Sequence, residues 1–307
     1  MTADVETVGA ARPRSLIATG SARRSSGPGF FLQAFLVLTA AVWLLPVLWA
    51  VYTSLRPYAD TAERGYVSLP GVLNFQNYTN AWSQADLPHY YLNTLIVVAP
   101  ALVLTLLLSS FSAFVLARFP FRFNLSLLML FTAGNLLPQQ TIITPLYRLY
   151  LALPLPEWLS DSGLFFDSYV GIIAIHVAFQ MGFCTFVLSN YMKTIPKELT
   201  EAALVDGASV WRTFWSVIVP LTRPAVAALA TLEFTFIYND YFWALVLVQT
   251  GSKRPITSAL SNLQGLFFTD NNLIAAGAVL VALPTIICYL LLQRHFVRGL
   301  TLGATKG

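Results

Sequence analysis

The sequence predicts an all-α membrane protein with six membrane-crossing helices and both termini on the cytoplasmic side. Three observations carry that expectation. Of 307 residues, 56% are hydrophobic and only 10% charged, whereas a soluble domain carries about a quarter charged residues. The apolar residues collect into six long segments, each near the ~20 residues needed to cross the hydrocarbon core of a bilayer. The basic residues fall mainly in alternate connections, and that asymmetry sets orientation.

Residues 1–29 are rich in Arg, Ser, Ala and Gly, with Arg12, Arg14, Arg23 and Arg24, and read as a disordered cytoplasmic tail. A secretory signal is the competing reading. The apolar run that follows is too long for one and lacks a small-residue cleavage site. A single membrane domain is expected over residues 30–293. Its six segments are approximately Phe30–Ser54, Tyr90–Ala117, Leu125–Tyr150, Tyr169–Tyr191, Pro224–Gln249 and Leu273–Gln293. The prolines inside them (Pro46, Pro100, Pro138, Pro145, Pro284) are tolerable in a membrane, where neighbouring helices satisfy the freed carbonyls. Residues 294–307 are left as a cytoplasmic C-terminal tail. Its Gly299, Gly303 and Gly307 each cost about 1 kcal/mol in a helix and argue against a stable isolated one.

With the N-terminus inside, the inner connections hold Arg12, Arg14, Arg23, Arg24, Arg118, Arg122, Lys193, Lys197, Arg212, Arg223, Arg294, Arg298 and Lys306. The outer ones hold Arg56, Arg64, Arg148, Lys253 and Arg254 beside seven acids. The inward bias places both termini in the cytoplasm. The net charge of +4 therefore reflects bilayer orientation rather than a nucleic-acid surface.

The inner connection around 192–222 stands out because it is polar yet keeps helical periodicity. Glu198 and Glu201 lie in early turns of a helix beginning after Pro196, where carboxylates complement the dipole. Gly207 can take the left-handed conformation that ends a helix. Beyond it Val210, Phe214, Val217, Ile218 and Leu221 follow an apolar stripe at helical spacing. Helix, turn and second helix make a docking surface in need of a partner.

Several chemistries lack a sequence basis. There is no phosphate-binding G-x-x-x-x-G-K-[ST] loop and no G-x-S-x-G elbow. His89, His176 and His295 are scattered, without metal-ligand spacing. Cys184 and Cys288 both sit in apolar runs and read as small core residues. No catalytic residue and no cofactor is expected on this chain.

Glu201-Ala202-Ala203, then Asp206-Gly207-Ala208, and later Val219-Pro220-Leu221-Thr222-Arg223-Pro224, resemble the EAA loop of ABC-importer permeases. Asn77–Trp82, Ala117–Arg122, Ile143–Tyr147, Tyr238–Leu245 and Phe296–Gly307 are similar to one branch, the second permease subunit of maltose-type carbohydrate importers. The match covers nearly everything after Phe30. It implies the type I importer permease fold in a bacterial plasma membrane. It also implies a homologous second permease, two cytosolic ATPase subunits carrying ATP and Mg, an extracellular sugar-binding protein, and a carbohydrate substrate. Glu198, Glu201, Ala202, Ala203, Asp206, Gly207, Ala208 and Phe214 would then contact the ATPase, and Arg298, Gly303 and Lys306 of the tail would reach the same partner. The plain alternative for the loop is an amphipathic helix on the membrane surface, with Trp211 and Trp215 at headgroup level.

Gln180, Glu233, Asn239 and Asp240 are candidates for a translocation path, because ionisable groups in a membrane segment usually face a cavity or partner. Glu233 and Asp240, seven residues apart, are expected on one face of the fifth helix. Their bland reading is interhelical bonding, as for Asn93, Asn135, Gln139, Gln140 and a buried His176. The resemblance favours it, since sugar contacts in that family fall mainly on the other permease. In the outer loop 250–272, Lys253, Arg254, Asn262 and Gln264 are expected to meet the binding protein; the alternative is a solvated connection. A competing function is a self-contained channel or secondary transporter working through Glu233 and Asp240.

Overall fold

The computed structural model describes residues 29–136, 138–265 and 268–301, the last helix beyond Gln293 by its backbone alone. The twelve α-helices of the described residues are α1 (Phe30–Ser54), α2 (Tyr58–Arg64), α3 (Gln76–Gln84), α4 (Leu87–Arg118), α5 (Asn124–Leu136), α6 (Ile143–Ala152), α7 (Tyr169–Lys193), α8 (Lys197–Val205), α9 (Val210–Thr213), α10 (Val219–Tyr238), α11 (Phe242–Leu247) and α12 (Asn271–Thr301). Among the described residues, five helical stretches are long and apolar enough to cross a membrane: Phe30–Ser54, Leu87–Arg118, Tyr169–Thr194, Val210–Tyr238 and Asn271–Gln293.

The described residues divide into two compact units, one up to Val47 and one from Leu48 onward. The described part of the first is the leading portion of α1. It is apolar all round, the pattern of a helix solvated by lipid or by other helices. The second unit is a helical bundle. Within it α4 packs along α7, α10 lies against both, α12 covers α10 and α3, and α5 lies on α7. The α5–α7 contact is close because Gly182 has no side chain: a Cβ there would stand 2.4 Å from the Phe131 carbonyl oxygen. One apolar core joins Val97, Ala101, Ile172, Ile237, Ile256 and Ala276. A second, nearer α8 and α9, joins Ala113, Phe114, Cys184, Leu188, Phe214, Ile218 and Leu229.

Two segments expected to be single helices are broken. The third, Leu125–Tyr150, is α5, then a 3-10 turn at Gln139–Ile142, then α6. Pro138 precedes the turn with extended backbone, and proline lacks the N–H that would continue the α-helical ladder. The fifth, Pro224–Gln249, ends its long helix at Tyr238 and resumes as α11. Asp240 explains the stop. Its two carboxylate oxygens accept the N–H groups of Trp243 and Ala244, each at 3.2 Å, so it starts a new helix instead of extending the old one. By contrast Pro46, Pro100 and Pro284 lie inside helices as expected. The last helix runs unbroken past Gln293 to Thr301. Continuing an existing apolar helix needs no new nucleus, which offsets the glycine cost.

Candidate functional site

The polar connection between α7 and α10 folds as a closed helical hairpin. Gly207 has φ +81°. Its N–H donates to the Leu204 carbonyl at 3.1 Å and the Ala208 N–H to the Ala203 carbonyl at 2.9 Å, the pair of bonds that ends a helix with a left-handed residue. Ser209 then caps α9, its Oγ accepting the Arg212 N–H at 3.2 Å, a cap worth about 1 kcal/mol. The chain leaves α9 through a π turn, Phe214–Ile218, whose widened backbone bond runs from the Val219 N–H to the Phe214 carbonyl.

Most of α8 is open to its surroundings. Thr200 is buried and Ala203 half-buried, while Lys197, Glu198, Leu199, Glu201, Ala202, Leu204 and Val205 are exposed. Among these, Glu198, Glu201, Ala202 and Val205 occupy i, i+3, i+4 and i+7 and share one helix side. Val205 is 87% exposed, an apolar tip beside two carboxylates. Asp206 and Gly207 extend the exposed surface, whereas Ala208 is half-buried at the turn. Phe214, expected on this docking surface, is 1% exposed and belongs to the core, packed on Phe111 and Phe114 with ring centroids 4.8 and 5.2 Å away. Phe214 and Ile218, four residues apart, share the inward face. The π turn shifts the phase after them, so Thr222 is buried while Leu221 is 42% exposed.

The candidate path residues do not form one site. Glu233 is completely buried in α10, and the Cys184 thiol donates to its Oε1 at 3.2 Å. Asp240 lies beyond the helix with its Oδ2 3.6 Å from Nε2 of the buried His176. The two carboxylates therefore meet α7 eight residues apart, about 12 Å along a helix. The expected shared face does not exist, because the helix stops between them. Asn239 is exposed at the end of α10, its amide donating to the Thr235 carbonyl at 2.8 Å. Gln180 is half-buried on α7, one turn beyond His176. Asn93 is structural. Its amide donates to the Ser252 and Arg254 carbonyls and its oxygen accepts the Tyr169 hydroxyl.

At the far end of the bundle the loop after α11 is packed through its middle, residues 253–260, and more exposed on either side. Ile256 and Ala259 are fully buried. The Lys253 ammonium is engaged by Asp161 at 2.8 Å and by the Asp167 carbonyl at 3.2 Å, and the Arg254 Nε by the Val248 carbonyl at 3.1 Å. Both basic residues hold the loop together. Asn262 and Gln264 are exposed, with the Asn262 amide on the Tyr90 hydroxyl at 3.1 Å. Arg298 of the tail set lies where backbone alone is described, and Gly303 and Lys306 lie outside the described residues.

Residues 90–302 match the family of binding-protein-dependent transport system inner membrane components. The chain belongs to this family. It is an inner-membrane transport component rather than an enzyme. Among relatives, the melibiose/raffinose/stachyose import permease protein MelC of Bacillus subtilis is 30% identical over 88% of this chain and 94% of its own length. The diacetylchitobiose uptake system permease protein NgcG of Streptomyces coelicolor is 30% identical over 89% and 88%. A crystal structure of a bacterial ABC transporter involved in import of the acidic polysaccharide alginate superposes with a TM-score of 0.73 at 23% identity, over 87% of this chain and 96% of that one. The bundle therefore has a permease fold.

Three features of this permease escape sequence reading. Arg56, fully buried, donates to Asp60 Oδ2 at 2.7 Å, to the Tyr66 and Ser68 carbonyls and to the Ser68 hydroxyl. With Arg64 on the other Asp60 oxygen at 3.5 Å, it folds the loop after α1. The Arg56 guanidinium holds the Asp60 carboxyl below the usual carboxylate range. The i, i+4 spacing of Arg56, Asp60 and Arg64 signals this network. Asp167, at φ +58°, accepts the Gln249 and Thr250 N–H groups, both at 2.9 Å, and the Thr250 hydroxyl at 2.6 Å. Nothing local marks a bond spanning eighty residues. The aromatic packing around Phe111 is equally silent.

Proposed function

We propose that this chain is one of two transmembrane permease subunits of an ATP-driven, binding-protein-dependent carbohydrate importer. It crosses the membrane six times, α5 and α6 together making the third crossing, and both termini are cytoplasmic. A homologous second permease completes the pathway, two cytosolic ATPase subunits bind ATP and Mg, and an extracellular binding protein delivers the sugar. The inward bias of Arg and Lys supports the orientation, and the family's own description supports a binding protein. Carbohydrate follows from relatives named for oligosaccharide import and uptake.

One observation carries the coupling role. The α8 hairpin is closed by its own backbone, packed through Thr200 and Ala203, and leaves the rest of α8 exposed, with Glu198, Glu201, Ala202 and Val205 together on one side. Exposed carboxylates suit basic groups or backbone N–H groups on a partner, and the alanine permits close approach. Asp206, Gly207 and Ala208 shape the turn, Ala203 and Phe214 support it from below, and Arg298, Gly303 and Lys306 add a second ATPase contact. Closure of the ATPases moves α8, and the two permeases rock to open outward. Gln180, Asn239 and Asp240 border the path near the α10–α11 break, and Asn262 and Gln264 meet the binding protein beside the loop that Lys253 and Arg254 brace. A self-contained channel working through Glu233 and Asp240 is disfavoured by their separation and by the Cys184 contact.

The test is affinity purification of the tagged chain co-expressed with its ATPase and second permease. The expected result is a complex holding two ATPase subunits per permease pair. A functional homo-oligomer without ATPase would overturn the reading.

A further inference from the structure

Force applied at α8 must enter the bundle somewhere. α8 itself packs on α9 and on the π turn, and both lead along the chain into α10. A second connection leaves sideways. Phe111, half-buried on α4, meets three rings of the segment 211–215. Its centroid lies 5.3 Å from Trp211, with the planes only 19° apart. It lies 4.8 Å from Phe214, and 5.9 Å from Trp215 at 86°. The rings of the segment also hold one another, Trp211 to Trp215 at 5.8 Å and Phe214 to Trp215 at 5.1 Å. One α4 side chain is thus clasped on its face and its edge by the same short segment that follows the Ser209 cap.

Two further facts distinguish this from ordinary core filling. Trp211, Phe214 and Trp215 are spaced i, i+3 and i+4, so the three rings share one helical face toward α4, at the entry to the π turn. And α4 is the helix that packs along α7 and against α10, so a movement delivered to Phe111 is delivered to the centre of the bundle. A surface anchor would need only Trp211 and Trp215 at headgroup level. It would not need a stacked partner on another helix.

We propose that Phe111, clasped by Trp211, Phe214 and Trp215, is the positioning residue that ties the α8–α9 hairpin to α4 and makes their motion one. This rests on the ATPase-coupling reading above. Each well-placed aromatic pair stabilises its arrangement beyond simple area burial. Loss of Phe111 removes three such pairs at once and lets the hairpin move without the bundle.

The test needs no transported sugar. Tyr241→Cys, in the break between α10 and α11, reports on the opposite end of the bundle from α8. In the complete complex with ATPase and second permease, its rate of reaction with a membrane-impermeant maleimide is measured with and without Mg and a non-hydrolysable ATP analogue. The chain lacking Tyr241→Cys supplies the background of Cys184 and Cys288. With Phe111 present the nucleotide changes the rate. Phe111→Ala is expected to reduce that change about tenfold while the ATPase still co-purifies and binds nucleotide, and Phe111→Trp to restore it. An unchanged nucleotide response in Phe111→Ala overturns the proposal. So does loss of ATPase in both Phe111→Ala and Trp211→Ala, which would make the clasp a structural prop. If the parent itself shows no nucleotide response, the coupling reading fails instead.

Discussion

Single residues separate what a position needs from what merely fits. Gly207 and Gly182 are glycines for opposite reasons. At Gly207 the backbone is left-handed and a Cβ would meet nothing within 4 Å, so alanine there costs only conformational energy, about 1–2 kcal/mol. Gly207→Ala is therefore expected to leave the permease folded and to speed hydrogen exchange at the Ala208 amide about tenfold. At Gly182 the backbone is helical and space is the constraint, with the Phe131 oxygen and the Asn135 amide both in the way. Gly182→Ala is expected to separate α5 from α7 and lower the melting temperature far more than Gly207→Ala; equal effects would contradict the distinction. Asp60 offers a test by pH. Its carboxyl is held low in the folded state, chiefly by the hydrogen bond from Arg56. The stabilisation is then fully present above the ordinary carboxylate range, near pH 4, and is lost only as pH falls through the lower folded value. The Gly71 amide donates to Asp60 Oδ1 at 3.0 Å and reports this directly. Its exchange protection should survive at pH 4 and disappear below, whereas Asp60→Ala should lack it already at pH 7.

At the scale of elements, the helix breaks are the informative places. The α8 hairpin was legible because its signals are local: Pro196 before the helix, Gly207 at its end, Ser209 as the next cap. Each acts within four residues, so a reader of the sequence sees the same information the backbone uses. The fifth segment was legible only in part. Hydropathy runs on through Asn239 and Asp240, but the Asp240 carboxylate competes for backbone N–H groups that a continuous helix would claim. A π turn is harder still to see, since one widened turn moves Leu221 outward and Thr222 inward without changing composition. Phe214 enters the docking set through the resemblance, while its apolar stripe with Ile218 already marks the buried side. The outer loop hides its order for another reason, as Asp167 bonds to Gln249 and Thr250 across a gap that periodicity cannot span. For the break itself, Asp240→Ala removes both cap bonds to α11 and is expected to cost about 1–2 kcal/mol. Asp240→Asn keeps one acceptor and should cost less, as thermal unfolding in detergent would read.

For the whole molecule, composition and charge placement were enough to give a helical inner-membrane protein, and the EAA-like stretch pointed to its family. The long-range pairings that build the bundle were not accessible, because burial inside a membrane protein leaves no polar–apolar alternation to read. What emerges is a division of labour along one chain. The α4–α7–α10 centre is apolar and closely packed. One end carries the self-closed hairpin with its exposed acidic stripe, and the other carries loops braced by Arg56, Lys253 and Asp167. Glu233 is fully buried in the packed centre, where the Cys184 thiol donates to its Oε1, so Glu233→Gln is expected to support transport, while Glu233→Lys should prevent folding.

Charge reversal on the exposed stripe tests the coupling role most directly. In the reconstituted complex, Glu201→Lys should insert and pair with the second permease normally, yet abolish the ATPase activity stimulated by the sugar-loaded binding protein. The measurement is that stimulated rate, set beside the amount of chain in the membrane. Stimulation at the parental level from Glu201→Lys would contradict coupling through α8.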